Sequence, residues 1–314
     1  MQLKASAPGS LMLLGEYAVL SGKPALVCAV DKRITVTLTP RVDKQIEIHS
    51  DLHGHFSTDL VALTIEKPFQ FVLAALKYYQ AKLKQGCDIS IVSEFSDKVG
   101  LGSSAAVTVA TLAAIISWIN IRVAPLELVH QGRQVIRSVQ GVGSGADIAA
   151  AVYGGLVGYH TQPLLAEKFP VICPLTVMYT GFKTPTVDAI KRVQTYFSTY
   201  SQLFRHLNNS IGQCAIEGIQ LARKEEWNKL GEIMTIQQGL MESLGVSTVL
   251  LQDIISDLRK QQGILGAKIS GSGLGDCVVG LGALPESYTY HGSSHGVQRI
   301  PVAMTLQGVH CEKN

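Results

Sequence analysis

Val99-Gly100-Leu101-Gly102-Ser103-Ser104-Ala105-Ala106 is where the chain changes character: a glycine and serine turn runs straight into the apolar stretch 105–119. Successive main-chain N–H groups without bulky side chains, followed by the positive end of a helix, make an anion site. Ser103 and Ser104 add hydroxyls that can reach a phosphate or a magnesium ion. Serine is also a favoured helix cap whatever the function, so this turn alone leaves a phosphate site and a capped helix start both open. It is not a Walker loop, because the chain has no GxxxxGK[ST], and no GxGxxG follows a strand.

Two further glycine turns bear on the choice. Lys268-Ile-Ser-Gly-Ser-Gly-Leu-Gly-Asp-Cys277 sets three glycines at alternate positions between the apolar runs 264–269 and 277–281. That pattern turns a hairpin or admits a close backbone approach. Gly141-Val-Gly-Ser-Gly-Ala-Asp-Ile-Ala-Ala150 carries a single acid, Asp147, at the edge of a small-residue helix. Such an acid is either a cap or the base that phosphoryl transfer to an alcohol requires. Together the three turns point to a nucleotide phosphotransferase. Arg133 and Arg137, four apart on an expected helix, are ordinary surface charge or an anion clamp directed at Asp147.

Composition narrows the alternatives. The chain has 314 residues, room for two domains. With 46% hydrophobic and 16% charged residues it is expected to fold. Lys plus Arg number 27 against 24 acids, without a dense basic tract, which argues against nucleic acid or an anionic membrane surface as the main partner. The apolar stretch 105–119 meets Asn120 and Arg122 before reaching the roughly 20 residues a bilayer span needs. The opening MQLKASAPGS lacks the apolar run of a secretory signal, so a cytosolic location is expected. Six cysteines without a CxxC pair read as reduced, mostly buried thiols. His49, His53 and His55 read as a solvated loop after a strand rather than a metal site. Neither GxSxG nor HExxH occurs.

Ile34, Val36 and Leu38 alternate with threonines, and Ile46 and Ile48 straddle Glu47, so strands with one wet face are predicted there, preceded by an apolar run at 25–30. A helix over 68–84, a strand over 87–93 and a helix opening at Pro125 and closing at the glycines 141–145 follow. Helical patterns dominate 187–260, and strands at 264–269 and 277–281 flank the last glycine turn. Strands followed by helices in each half indicate an α+β class. The boundary falls near Pro163 and Pro170, giving domains 1–165 and 166–314.

These residues resemble the GHMP kinase superfamily, which comprises galactokinase, homoserine kinase, mevalonate kinase and phosphomevalonate kinase. Ala7-Pro-Gly-Ser-Leu-Met-Leu-Leu-Gly-Glu-Tyr-Ala-Val-Leu20 is similar to its first motif, residues 100–106 to its second and residues 268–277 to its third. The resemblance implies an N-terminal domain of the ribosomal protein S5 domain 2-like type and a ferredoxin-like C-terminal domain. It implies an ATP site made by Gly100, Leu101, Gly102, Ser103, Ser104 and Ala105 with Gly271, Ser272 and Gly273. Ser104 would help hold Mg2+, and Asp147 matches the catalytic aspartate. Glu16, Tyr17, Ser144 and Thr184 fall where the family lines its substrate pocket, and a homodimer is compatible with it.

Two departures stand out. Ser10 replaces the lysine usual after Pro-Gly in mevalonate kinases, making Lys183 the leading group for the missing charge. No acid occurs in 131–140, where those enzymes carry a metal-binding glutamate, so magnesium would rely on Ser104, ATP and water. The first motif looks most like mevalonate kinases, whereas Val142-Gly-Ser-Gly-Ala-Asp-Ile-Ala-Ala-Ala-Val-Tyr-Gly154 and Gly181-Phe-Lys-Thr-Pro-Thr186 look like phosphomevalonate kinases. The balance favours mevalonate as the small-molecule alcohol substrate, with phosphomevalonate second. A non-catalytic sensor of the same fold stands third, and the retained Asp147 and second motif count against it.

Overall fold

Two strands at the start set the frame of the computed structural model, which describes residues 1–290, 292 and 296–313. β1 (Leu3–Leu14) and β2 (Ala25–Pro40) pair antiparallel along most of their length. The run 25–30 is not a separate strand but the buried leading stretch of β2, whose later residues alternate as the sequence predicts. In β1 only Lys4 is exposed, so no period of two marks it in the sequence. β3 (Gln45–Ser50) and β4 (Gly54–Asp59) form a hairpin with His49 opposite His55, their rings stacked at 4.5 Å. The solvated loop expected around these histidines is therefore a strand pair.

α1 (Gln70–Tyr79), β5 (Cys87–Ser93), α2 (Ser103–Trp118), α3 (Pro125–Gln140), α4 (Ala146–Tyr153), β6 (Leu156–Thr161) and β7 (Leu164–Phe169) complete the first half. Pro125 opens α3, and Gly141, at φ 73°, closes it in the left-handed region. The second half contains β8 (Leu175–Tyr179), α5 (Thr186–Tyr196), α6 (Ser201–Arg223), α7 (Trp227–Ser243), α8 (Val249–Lys260), β9 (Gly266–Ser270), β10 (Cys277–Leu281), β11 (Gln298–Ile300) and β12 (His310–Lys313).

The first sheet runs β12-β1-β2-β5-β3-β4, with β6 sharing the β5 edge of β2 along its first residues and β7 beyond it. Among the described residues only the β3–β5 pairing is parallel. The second sheet, β11-β8-β10-β9, is antiparallel throughout. Helices α1 to α4 share the larger apolar core with the first sheet, while α5 and α8 build a second core. The halves interlock: Cys214, Ala215 and Ile219 of α6 and Leu230 and Met234 of α7 join the larger core, and β12 pairs with β1. All six cysteines are free and five are buried. Among the described residues no helix is long and apolar enough to cross a membrane.

Candidate active site

A bulge brings the first and second motifs together. The β1–β2 register shifts between Pro8 and Gly9, and a bulge of this kind re-aims the strand. A Cβ at Gly9 would stand 2.8 Å from the Leu101 carbonyl oxygen, and the Ser10 N–H donates to that same oxygen at 3.0 Å. Leu101 is 1% exposed, so its side chain anchors the loop in the core and only its backbone can face a ligand. Gly102, at φ 65°, precedes α2 without any side-chain cap, which sets aside the serine-capped reading of this turn. Among the described residues, no main-chain N–H from Gly100 to Ser104 finds an acceptor within the protein. They are free for an anion.

Asp147 lies in the first turn of α4, behind Gly145 at φ 91°. The Ser10 hydroxyl donates to its Oδ1 at 2.7 Å. A Cβ at Gly102 would come within 2.2 Å of that hydroxyl oxygen and 3.6 Å of Asp147 Oδ1, so only glycine lets the loop pass over the pair. Enclosure pushes the Asp147 carboxyl up, opposed by the Ser10 hydrogen bond and by the Lys183 charge. Lys183 itself is exposed, its Nζ donating to the Asp97 carbonyl at 3.0 Å.

Two cavities meet over this loop. The smaller, about 160 Å³, has Asp147, Glu16, Tyr17, Ser144, Gly271 and Ser272 in its wall. The larger, about 660 Å³, is bounded on one side by Ser103, Lys183, His53 and Phe69. Ser104, Gln140 and Thr186 line both. A group held in one cavity can thus reach a group held in the other beside Ser104. His53 approaches Phe69 edge-on at 6.2 Å and sits 3.5 Å from the Asp97 carboxylate. An aromatic wall of this kind suits a nucleobase.

Several expected residues do other work. The Glu16 carboxylate binds Lys268 and Gln237 within the protein and is 2% exposed. It backs the small cavity and ties the halves together rather than offering a free carboxylate. Lys268 is lowered by burial, against the opposing attraction of Glu16. The Tyr17 hydroxyl donates to the Ser272 carbonyl at 2.6 Å, and burial then the Glu16 charge push the phenol up. Thr184, expected at the substrate, gives its hydroxyl to the Leu274 carbonyl at 2.8 Å and lines neither cavity. Gly273 packs on Val246, where a Cβ would meet a carbonyl oxygen at 2.6 Å, so it serves the turn and not the cavity. Arg137 Nε donates to the Gly143 carbonyl at 3.0 Å, and the Arg133 stem lies against Gly145. Neither is a clamp on Asp147.

Sequence reasoning missed Gln140, Thr186 and Asp276. Asp276 is 8% exposed, stands at φ 70° and reaches the phosphate loop, where a Cβ at Gly100 would lie 2.0 Å from its Oδ1. Burial raises its carboxyl to about 6, with Lys183 opposing and Asp147 adding to the rise. The signal available was the acid that ends the third glycine turn.

Comparison with known proteins agrees with this geometry. Residues 70–155 match the family model of the GHMP kinases N-terminal domain, and residues 219–287 that of the GHMP kinases C-terminal domain. A mevalonate kinase of Thermococcus sibiricus is 31% identical over 91% of both chains. One of Saccharolobus solfataricus is 30% identical over 98% of both. The crystal structure of the Lin0012 protein from Listeria innocua superposes with a TM-score of 0.85 at 22% identity, covering both chains in full. The free amides of residues 100–104, the acid opposite them and a likeness that spans nearly the whole sequence make the chain a member of the GHMP kinase family, an ATP-dependent kinase acting on a small-molecule alcohol.

Proposed function

We propose that the chain phosphorylates mevalonate to 5-phosphomevalonate. The observation that carries this choice of acceptor is the lining of the small cavity: it holds Asp147 and hydroxyl groups but no lysine or arginine. Mevalonate brings one carboxylate into that space, whereas phosphomevalonate would add a phosphate to it with no cation among the described lining residues to meet the extra charge, and each further uncompensated enclosed charge is strongly disfavoured. Relatives bearing the name mevalonate kinase support the same acceptor. A coupled ADP-release assay with mevalonate, phosphomevalonate and a panel of sugars tests it. Turnover on mevalonate is expected, and turnover confined to phosphomevalonate overturns the assignment.

In this reading the amides of residues 100–104 and the Ser103 hydroxyl bind the ATP phosphates, and the large cavity takes the nucleoside. Ser144, Gly271 and Ser272 border the acceptor. Asp147 accepts the proton of the acceptor hydroxyl as that oxygen bonds to the γ-phosphorus and ADP departs. Ser10 orients the Asp147 carboxylate through Oδ1, so its second oxygen is left for that proton. Lys183, at the other side of the loop, supplies the positive charge that the first motif lacks.

Oxygen donors, a serine hydroxyl and a nearby carboxylate suit Mg2+. Among the described residues there is no cluster of three His, Cys, Asp or Glu, so Ser104 would hold the ion together with triphosphate and water. Its chemistry would be charge neutralisation on the phosphates. The same family reading names the first half an S5-type domain and the four-stranded half ferredoxin-like; because the expected boundary at 165/166 cuts β7, we move the division to between Phe169 and Leu175.

A further inference from the structure

Asp276 is an acid in a costly place. Its Oδ1 is enclosed and, among the described residues, meets no hydrogen-bond donor, a state that folded proteins rarely retain without a use for it. Its backbone is fixed on both sides: the N–H donates to the Phe182 carbonyl at 2.9 Å, and the carbonyl accepts from the Thr180 N–H at 3.0 Å. The Thr184 hydroxyl adds a third tie, to Leu274. Segment 180–184, which carries Lys183, and turn 274–276 are therefore one platform. From it Asp276 faces Gly100 of the phosphate loop, within reach of the charges of Lys183 and Asp147. Lys183 meanwhile donates to a neutral carbonyl, that of Asp97, at an exposed rim, a weaker partner than a carboxylate.

We propose that Asp276 is a positioning residue for Lys183, drawing its ammonium from the Asp97 carbonyl to the space between Asp276 and Asp147 when triphosphate fills the loop. This rests on the role given to Lys183 under the proposed function. The enclosed carboxylate gains its missing donor, and the cation comes to stand beside the transferring phosphate instead of at the rim.

The test is a double-mutant cycle read in kcat and in the KM for ATP. Asp276→Asn keeps the size of the side chain, and asparagine tolerates the left-handed backbone; Asp276→Gly is the second variant, since glycine is at ease at that φ. Each should lower kcat by roughly tenfold to a hundredfold with the KM for ATP changed less than about threefold, and neither should lower the melting temperature. In a Lys183→Met background the same substitutions should cost no further activity. Equal losses with and without Lys183, or full kcat in both variants, overturn the role of Asp276 alone. Full kcat in Lys183→Met overturns the reading of Lys183, and this inference with it.

Discussion

Glu16 and Asp276 are both buried acids that bridge the two halves of the molecule, yet they are treated in opposite ways. Glu16 lies among Lys268 and Gln237 with its oxygens occupied, whereas Asp276 Oδ1 touches the phosphate loop without a donor. The difference separates a joint from a working element. A buried charge with partners holds the structure in register, and one left without partners at a ligand site is available to the ligand's chemistry.

The contrast can be broken most directly at the joint. Lys268→Met leaves the Glu16 carboxylate enclosed and unpaired, and should destabilise the fold by about 3–5 kcal/mol, measured by urea denaturation. A loss below about 1 kcal/mol would show that Glu16 and Lys268 are not a structural pair. At the working end, Asp147→Asn should lower kcat by roughly 10²- to 10⁴-fold while ATP affinity, followed by calorimetry, stays near normal. Full activity in that variant removes the base.

Asp276→Asn sharpens the comparison through pH. The folded carboxyl keeps its proton to about 6, against an ordinary value of 3.8. Between those values the native state binds more protons than the unfolded one, so stability falls as pH rises through the window. The asparagine variant should match wild type near pH 4 and exceed it by about 3 kcal/mol above pH 7. Equal stability at both ends would mean that the acid is already satisfied. The smallest effect belongs to Ser10→Ala. The Ser10 hydroxyl favours the ionised Asp147, so its loss should move the acid limb of kcat/KM to higher pH. An unmoved limb would detach Ser10 from the acid.

How much of this was legible in the sequence depended on local pattern. Alternation exposed the later residues of β2, proline and glycine marked both ends of α3, and the loop at 100–104 advertised its own chemistry. β1 and β8 are buried almost throughout, so neither carries a period of two. β3 showed itself through Ile46 and Ile48, but its hairpin partner β4 hid behind polar residues. At the site, contacts between distant segments were the blind spot: Ser10 is 137 residues from Asp147, and no local rule sets Thr184 on Leu274 or turns Asp276 toward Gly100. Ser10 read as a lysine lost, but what stands there is the partner of the acid.

The bond between Glu16 and Lys268 also limits how the enzyme can breathe. Swinging the halves open would pull a cation from its anion where little water can follow, so a wide hinge would have to break that pair first.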